Sequence, residues 1–264
     1  MRILVTNDDG WDAPGLAALK TLARHLGEVF VLAPRDPHSY AGHRVTTDCP
    51  LVLGETGAQE FTLTGTPADC TQIGMYELLH DKPAFVVSGI NHGANIGHSY
   101  ILSSGTVGAA LEAGLQGIPA FASSVWRFHR TYGEHDAHGP ETAKMLQLHA
   151  QITRQIIDKV MSVGFPAGVQ VIAINVPDTV QPGAPWVITR PHRMHYGAVF
   201  SGDGQRFTNN RAMNNEVPED PETDLAALLK GYVSIVPITV ELTSSIGQDT
   251  LATILGVPRM NSAL

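Results

Sequence analysis

Short apolar runs alternate with longer segments of helical periodicity along the first part of the chain. The run 2–7 is apolar and rich in β-branched residues, which predicts a buried strand. A helix is predicted next, with Asp12 as its N-cap and Pro14 in its first turn. The run 28–34 predicts a second buried strand. Strand, helix and strand in this order form a βαβ unit, so we expect a parallel sheet with helices on both faces.

The same alternation continues to the end of the apolar pattern. Further buried strands are predicted at 84–88, 119–124, 170–174 and 231–238, and helices at 106–115 and 141–163. The stretch 181–224 is polar, rich in Gly, Pro and Asn, and without a clear period. We therefore predict an α/β fold with a doubly wound, mostly parallel sheet. The chain is interpreted as one domain, 1–264, with a core of about 1–180 and an irregular C-terminal extension of about 181–264.

The composition of the chain argues against nucleic acid and membranes as binding partners. The 264 residues are 43% hydrophobic and 16% charged, which is typical of a globular protein. The net charge of −8 argues against stable nucleic-acid binding. No apolar run approaches the roughly 18 residues that span a bilayer, so no membrane association is expected. Cys49 and Cys70 are too few for a disulfide framework, and 1–6 is too short for a signal segment, so we expect a cytoplasmic protein.

Polar residues follow three of the predicted strands. Asp8 and Asp9 follow the first, Ser39 lies after 28–34, and Asn91 follows 84–88. In open parallel sheets ligands bind outside the carboxyl ends of the strands, so these oxygen donors are expected at one edge. Carboxylate, hydroxyl and amide oxygens suit a hard cation that keeps several waters. The pattern predicts one divalent metal ion, Mg²⁺ or Mn²⁺, at this edge.

The carboxylate pair has a simpler interpretation, in which Asp8 and Asp9 only cap a turn and the following helix. Gly10 allows the backbone to turn, and two adjacent carboxylates then repel unless a cation or a proton lies between them. The coincidence of three polar strand ends favours the metal site over the capping role.

A second candidate site is the glycine-containing start of a helix. Ser104, Gly105 and Thr106 place free backbone amides, small residues and hydroxyls together, as in a phosphate cradle. The alternative is an N-cap serine before a tightly packed helix. The lysine of a P-loop is absent here.

Three further motifs have candidate roles. His43 follows the second strand and is predicted either to contact a phosphate or to fix its own loop. The stretch 64–69 is interpreted as helix initiation, with Thr66 as N-cap and Pro67 at the first position. The stretch 134–138 contains residues of metal-ligand type but is interpreted as a solvated loop.

These motifs occur together in an order that resembles one known family. The chain is similar to the SurE family of metal-dependent 5′/3′-nucleotidases and survival proteins. The matching stretches are 5–10, Ser39 after 33–34, 64–70, 88–95 and 104–107, followed by weaker matches at 175–177, 189–190, 223–224 and 231–237. Two positions depart from the pattern. Arg44 stands where the family often has a small hydroxyl residue, and 191–215 lacks an aromatic-rich segment.

The resemblance implies a Rossmann-like core that binds one divalent metal through Asp8, Asp9, Ser39 and Asn91. It implies hydrolysis of nucleoside monophosphates, with some members also acting on polyphosphate. It further implies dimers or tetramers that exchange C-terminal elements.

The mechanism expected from these residues is hydrolysis of a phosphate monoester. Asn95 and the helix start at Ser104 would hold the phosphoryl oxygens, and His43 is a further phosphate contact. Asp8 and Asp9 are the candidate catalytic residues, either guiding a water or, for Asp8, attacking directly. The competing interpretation is a non-catalytic module that binds a nucleotide or phosphate as a regulatory signal.

Overall fold

The computed structural model describes residues 1–126, 139–194, 197–209, 218–243 and 245–257. The strands are β1 Arg2–Thr6, β2 Glu28–Pro34, β3 Leu53–Gly57, β4 Glu60–Leu63, β5 Phe85–Asn91, β6 Ala120–Trp126, β7 Val171–Pro177, β8 Trp186–Ile188, β9 Phe200–Gly202, β10 Phe207–Asn209 and β11 Val233–Ile238. The helices are α1 Pro14–Ala23, α2 Pro67–Ile73, α3 Gly97–Ser103, α4 Gly105–Leu115, α5 Pro140–Val163, α6 Asp224–Leu229 and α7 Ser245–Leu255, and a π-helical turn, Gly74–Leu78, continues α2.

Nine strands form one sheet in the order β3-β4-β2-β1-β5-β6-β7-β11-β8. The six strands from β4 to β7 are mutually parallel, whereas β3 pairs antiparallel with β4, and β11 pairs antiparallel with β7. From β1 the chain first builds outward to β2 and β4 and then returns to add β5 on the other side. The predicted α/β fold with a mostly parallel, doubly wound sheet is confirmed, and its switch point lies between β1 and β5.

Both faces of the sheet are covered, which explains why its central strands are apolar throughout. Helices α1 and α5 pack on one face around Phe85 and Phe121, whose rings meet edge to face at 5.7 Å. Helices α2 and α4 pack on the other face around Leu4 and Leu32. A third, smaller cluster joins α3 and α6.

Local capping rules decide where the helices begin, and one prediction here is wrong. Asp12 is exposed and is not the N-cap of α1, since Ala13 holds that position without a side-chain hydrogen bond and Pro14 starts the helix. The rigid φ of proline sets the first turn without a capping side chain. At α2 the prediction is confirmed, because Thr66 and Asp69 form a reciprocal capping box.

The chain after residue 180 contributes to the main sheet as well as to irregular structure. Strands β11 and β8 extend that sheet beyond β7, while β9 and β10 form a separate hairpin. The predicted boundary at about residue 180 therefore falls between strands of one sheet. The division into a core and a C-terminal extension stays a prediction. The stretch 134–138 lies outside the described residues. Among the described helices, none is long and apolar enough to cross a membrane.

Candidate active site

The candidate site lies at the switch point, where the carboxyl ends of β1, β2 and β5 are neighbours. Backbone contacts join the three segments that leave these strands. The amide of His38 donates to the carbonyl oxygen of Asp8 at 2.8 Å, and the amide of His92 donates to Oδ2 of Asp9 at 2.9 Å. The structure thus brings the segments that carry Asp8, Asp9, Ser39 and Asn91 to one edge of the sheet, as expected for open parallel sheets.

Asp8 is buried against the start of α4. The hydroxyl of Thr106 donates to Oδ1 of Asp8 at 2.5 Å. A Cβ placed on Gly105 would lie 2.8 Å from Cβ of Asp8, so only glycine permits this approach. The positive end of a helix dipole faces the carboxylate here, which favours its charged form. The predicted cradle and the carboxylate pair are therefore parts of one site.

Asp9 lies on the turn that follows β1. Gly10 has a φ of +95°, the left-handed conformation that the turn was predicted to need. The side-chain amide of Asn7 donates to the carbonyl of Gly10 at 2.8 Å and fixes this turn. Asn7 is fully buried, and its Oδ1 has no hydrogen-bond partner among the described residues. The sequence alone did not identify Asn7 as the residue that fixes this turn. The signal was available, because Asn7 is a polar residue at the end of the apolar run 2–7.

Burial raises the pKa of both carboxyl groups above the usual range. For Asp8 the largest cause is loss of solvent, the charge of Asp9 adds to it, and hydrogen bonds from Thr106 oppose it. For Asp9 burial again raises the pKa, and the amide of His92 lowers it. Two neighbouring carboxylates that have both lost solvent contact are more stable with a proton or a cation between them.

The donor set fits a hard divalent cation. The donor set that the sequence predicts contains only oxygen atoms, from two carboxylates, the hydroxyl of Ser39 and the side chain of Asn91, and oxygen donors suit a hard cation. Among the described residues, no group of three or more His, Cys, Asp or Glu side chains comes together. A bulge in β5 turns Asn91, because Ser88 pairs with Ala122 of β6 while Asn91 pairs with Ser124. The Nδ2 of Asn91 donates to the carbonyl of Gly93 at 2.5 Å, so Oδ1 is the atom with which Asn91 would hold a cation.

Asn95 is buried in a network that the sequence did not predict. Its backbone amide donates to Oδ1 of Asn175 at 3.0 Å, and Nδ2 of Asn175 donates back to the carbonyl of Asn95 at 3.1 Å. The side-chain Nδ2 of Asn95 donates to Ser124 Oγ at 2.8 Å. The ends of β6 and β7 thus fix Asn95 beside the site. Ser124 is the last residue of one predicted strand and Asn175 directly follows another, so a polar side chain at the end of each strand was the signal that could have indicated this network.

Asp224 ties the same loop to the C-terminal part of the chain. Its Oδ2 accepts the amide of Gly97 at 2.7 Å, and its Oδ1 accepts the amide of His192 at 2.9 Å. Asp224 is fully buried, and burial raises its pKa while these backbone hydrogen bonds lower it. The loop that carries Asn91 and Asn95 is therefore held from both sides.

Ser104 and His43, which were both predicted to contact the phosphate, each have a hydrogen-bond partner within the chain. The Oγ of Ser104 accepts the amide of Val107 at 3.0 Å, so it caps α4 as in the simpler interpretation. The Nε2 of His43 lies 2.6 Å from Oε2 of Glu112, a buried carboxylate on α4. This is the geometry of the loop-fixing alternative, and sequence reasoning missed Glu112 because it becomes a neighbour of His43 only in the fold.

The sequence of this chain is similar to those of one known family. A family model described as survival protein SurE matches residues 3–198. The protein named 5′-nucleotidase SurE from Pelobacter propionicus is 36% identical over 260 residues, covering 96% of this chain and 99% of its own. The protein of the same name from Archaeoglobus fulgidus is 35% identical over 262 residues, covering 94% and 95%.

A solved structure extends the agreement to three dimensions. The crystal structure of the SurE protein from Aquifex aeolicus superposes with a TM-score of 0.81 at 29% identity, covering 97% of this chain and all of that one. Because the family model spans most of the chain and the relatives align over nearly their whole lengths, the chain belongs to the SurE family.

Proposed function

We propose that this protein is a divalent-metal-dependent 5′-nucleotidase that hydrolyses nucleoside 5′-monophosphates to nucleoside and phosphate. The observation that carries the proposal is the carboxylate pair at the switch point of the sheet, in which Asp8 is buried against the start of α4 and Asp9 is partly buried beside it. The names of the relatives from Pelobacter propionicus and Archaeoglobus fulgidus support the substrate class. The proposal extends to 3′-monophosphates and short polyphosphate, which present the same terminal phosphate.

The residues that would hold the cation are Asp8, Asp9, Ser39 and Asn91. When bound, a divalent cation neutralises charge on phosphoryl oxygens and lowers the pKa of a coordinated water. Asp8 is immobilised by Thr106, whereas Asp9 is only partly buried and has one oxygen engaged by His92. We therefore assign both Asp8 and Asp9 as ligands of the cation. Asp9 has the second role of orienting the attacking water.

The phosphate side of the site comprises Asn95 and the backbone amides that begin α4. Asn95 is fixed by Asn175 and Ser124 before substrate arrives. Hydrolysis of a phosphate ester depends mainly on positioning and on electrostatic stabilisation, so a rigid loop lowers the reorganisation that the reaction requires.

We further propose that the protein is a homodimer or homotetramer located in the cytoplasm. Exposed apolar side chains on α7 support assembly, since Leu251, Ile254 and Leu255 are 55%, 72% and 61% exposed in the single chain. The free thiols Cys49 and Cys70 support a reducing compartment.

The test is phosphate release from a panel of nucleoside monophosphates with Mg²⁺, Mn²⁺ or chelator. We expect release with metal, none with chelator, and a loss of more than about 100-fold in Asp8→Asn, because removing a ligand costs more than removing a partner of a ligand. Asp36→Asn is the matched control, since Asp36 is an exposed carboxylate in the neighbouring loop and should leave activity unchanged.

Near-normal turnover by Asp8→Asn would overturn the site. Absence of release from every substrate with either metal, in a folded protein, would overturn the enzymatic proposal in favour of the binding module. Calorimetric titration with Mn²⁺ and then with a nucleoside monophosphate would identify that module directly.

A further inference from the structure

The segment 38–43, which carries the proposed ligand Ser39, lies along one face of α4. Gly105, Gly108 and Glu112 are three and four residues apart, so they share one face of the helix. A Cβ placed on either glycine would lie within 3.2 Å of backbone atoms of this segment. The two glycines therefore allow the segment to contact the first turns of α4 directly, and Glu112 is the next residue on the same face.

Backbone hydrogen bonds hold the segment on both sides of Ser39. On one side, the amide of His38 donates to the carbonyl oxygen of Asp8 at 2.8 Å, so this end is attached to the edge that carries the carboxylates. On the other side, the amide of Gly42 donates to the carbonyl oxygen of Ser103 at 2.9 Å, just before α4 begins. Three residues separate these two attachments, so the position of Ser39 depends on both.

The side chain of His43 adds a third attachment, further along α4. Its Nε2 lies 2.6 Å from Oε2 of Glu112, whose side chain is 5% exposed. Oε1 of Glu112 accepts a hydrogen bond from Nε2 of Gln72 on α2 at 2.5 Å. An ionised carboxylate only accepts hydrogen bonds, so Nε2 of His43 is the donor. Glu112 thus joins the segment that carries Ser39 to two helices, about two helical turns beyond Gly105.

We propose that Glu112 is a positioning residue that acts through His43. The pair holds the segment 38–43 so that Ser39 reaches the cation, and it thereby sets the affinity of the protein for the metal. This inference rests on the proposed metal-dependent 5′-nucleotidase function. A buried carboxylate contributes little to the stability of a fold, because the loss of its solvent offsets its hydrogen bonds. The effect of this contact is local, since groups that orient a ligand raise the affinity for its metal.

The experiment measures the dissociation constant of Mn²⁺ by calorimetry and, in parallel, phosphate release from adenosine 5′-monophosphate as Mn²⁺ is added. His43→Ala raises the dissociation constant and the Mn²⁺ concentration for half-maximal release by about 10-fold, because Ser39 is less well placed. At saturating Mn²⁺ kcat stays near the wild-type value, since excess metal fills the site. His43→Gln keeps an N–H donor of similar reach and retains the wild-type affinity.

Two combined variants distinguish positioning of Ser39 from a general structural role. Glu112→Leu weakens Mn²⁺ binding like His43→Ala, and the double variant binds no more weakly than either, because both changes break one contact. Adding His43→Ala to Ser39→Ala leaves the dissociation constant of Ser39→Ala unchanged, because the pair acts through Ser39. His25→Ala is the matched control and binds Mn²⁺ like the wild type, since His25 is exposed at the end of α1 on the other face of the sheet.

An unchanged dissociation constant in His43→Ala would overturn the inference. So would a further loss of about 10-fold when His43→Ala is added to Ser39→Ala, because the effect would then not pass through Ser39. Failure of the proposed function has a different signature, namely a wild type that binds Mn²⁺ and releases no phosphate. In that case the calorimetric comparison decides the inference by itself. A wild type that binds no Mn²⁺ rejects both.

Discussion

Thr106 links the two motifs that the sequence presented separately. Its hydroxyl is fully buried and donates to Asp8, so its role is to orient a carboxylate rather than to extend the phosphate cradle. Hydrogen-bond partners of this kind fix the orientation of a metal-binding side chain and tune its affinity for the metal.

We expect Thr106→Val to weaken metal binding. The substitution keeps the volume but removes the hydrogen bond to Oδ1 of Asp8, leaving a buried carboxylate less well oriented. The concentration of Mg²⁺ that gives half-maximal phosphate release should rise by about 10–100-fold. Thr106→Ser, which keeps the hydroxyl, is the control and should titrate like the wild type. An unchanged metal titration in Thr106→Val would contradict the assigned role.

The candidate metal residues were predictable because each follows a strand, and neighbouring parallel strands end at the same edge. Glu112 was not predictable as the partner of His43, since that contact joins a loop to the middle of a distant helix. Asp224 likewise contacts Gly97, which is 127 residues away along the chain. Local patterns identify residues that point to a shared edge, but they do not identify the partners that hold those residues in place.

At the scale of elements, α5 and β6 are joined by a buried polar contact within the apolar core. Nε2 of His149 on α5 lies 3.0 Å from Oγ of Ser123 on β6, and that oxygen lies 2.8 Å from Oγ1 of Thr153. Burial lowers the pKa of His149 from its ordinary value of 6.5 to about 3. The folded protein therefore holds this imidazole neutral under acidic conditions in which the unfolded chain protonates it.

This contact predicts a specific loss of stability in acid. Below pH 6.5 the unfolded state binds a proton that the folded state refuses until about pH 3, so the free energy of unfolding falls as the pH falls through this window. Within this window, His149 lowers the free energy of unfolding by up to about 1.4 kcal/mol for each unit by which the pH falls. Urea unfolding at pH 7.5 and pH 5 should show a smaller decrease for His149→Gln than for the wild type.

His25→Gln is the matched control for that comparison. His25 is exposed at the end of α1, so its replacement should leave the difference between the two pH values as in the wild type. If His149→Gln and the wild type lost the same free energy between pH 7.5 and pH 5, the buried histidine would not be the source of the acid sensitivity.

The elements that the sequence predicted are the long or wholly buried ones. Strand β2 has the predicted bounds, and α4 and α5 each begin one residue before the predicted start. The pattern missed β3, β4, β8, β9 and β10, which are short and, apart from Leu63 at the end of β4, not buried. Such strands carry little periodic signal, because pairing with a neighbour rather than burial of an alternating face defines them.

At the scale of the whole molecule, the prediction concerns assembly through α7. The mass of the wild type in solution should be two or four times the protomer mass of 28.3 kDa, measured by light scattering after size exclusion. Ile254→Lys places a charge on the exposed apolar face of α7 and should shift the mass toward the protomer, because burying an unpaired charge is costly.

Val163→Lys is the control for this experiment. Val163 is 90% exposed at the end of α5, so the same change of side chain there should leave the mass unaltered. A monomeric wild type, or an Ile254→Lys variant that keeps the full assembly mass, would reject α7 as the contact.

The place of β11 between β7 and β8 has a consequence for the order in which the protein is made. Strand β8 precedes β11 along the chain and pairs with β11 in the sheet. During synthesis, β8 therefore lacks the strand with which it pairs until β11 has left the ribosome. Asp224, which anchors the loop of Asn91 and Asn95, emerges only shortly before β11. The carboxylates are synthesised before Asp224 and β11, so the nascent chain completes the support of the candidate site only after these residues have emerged.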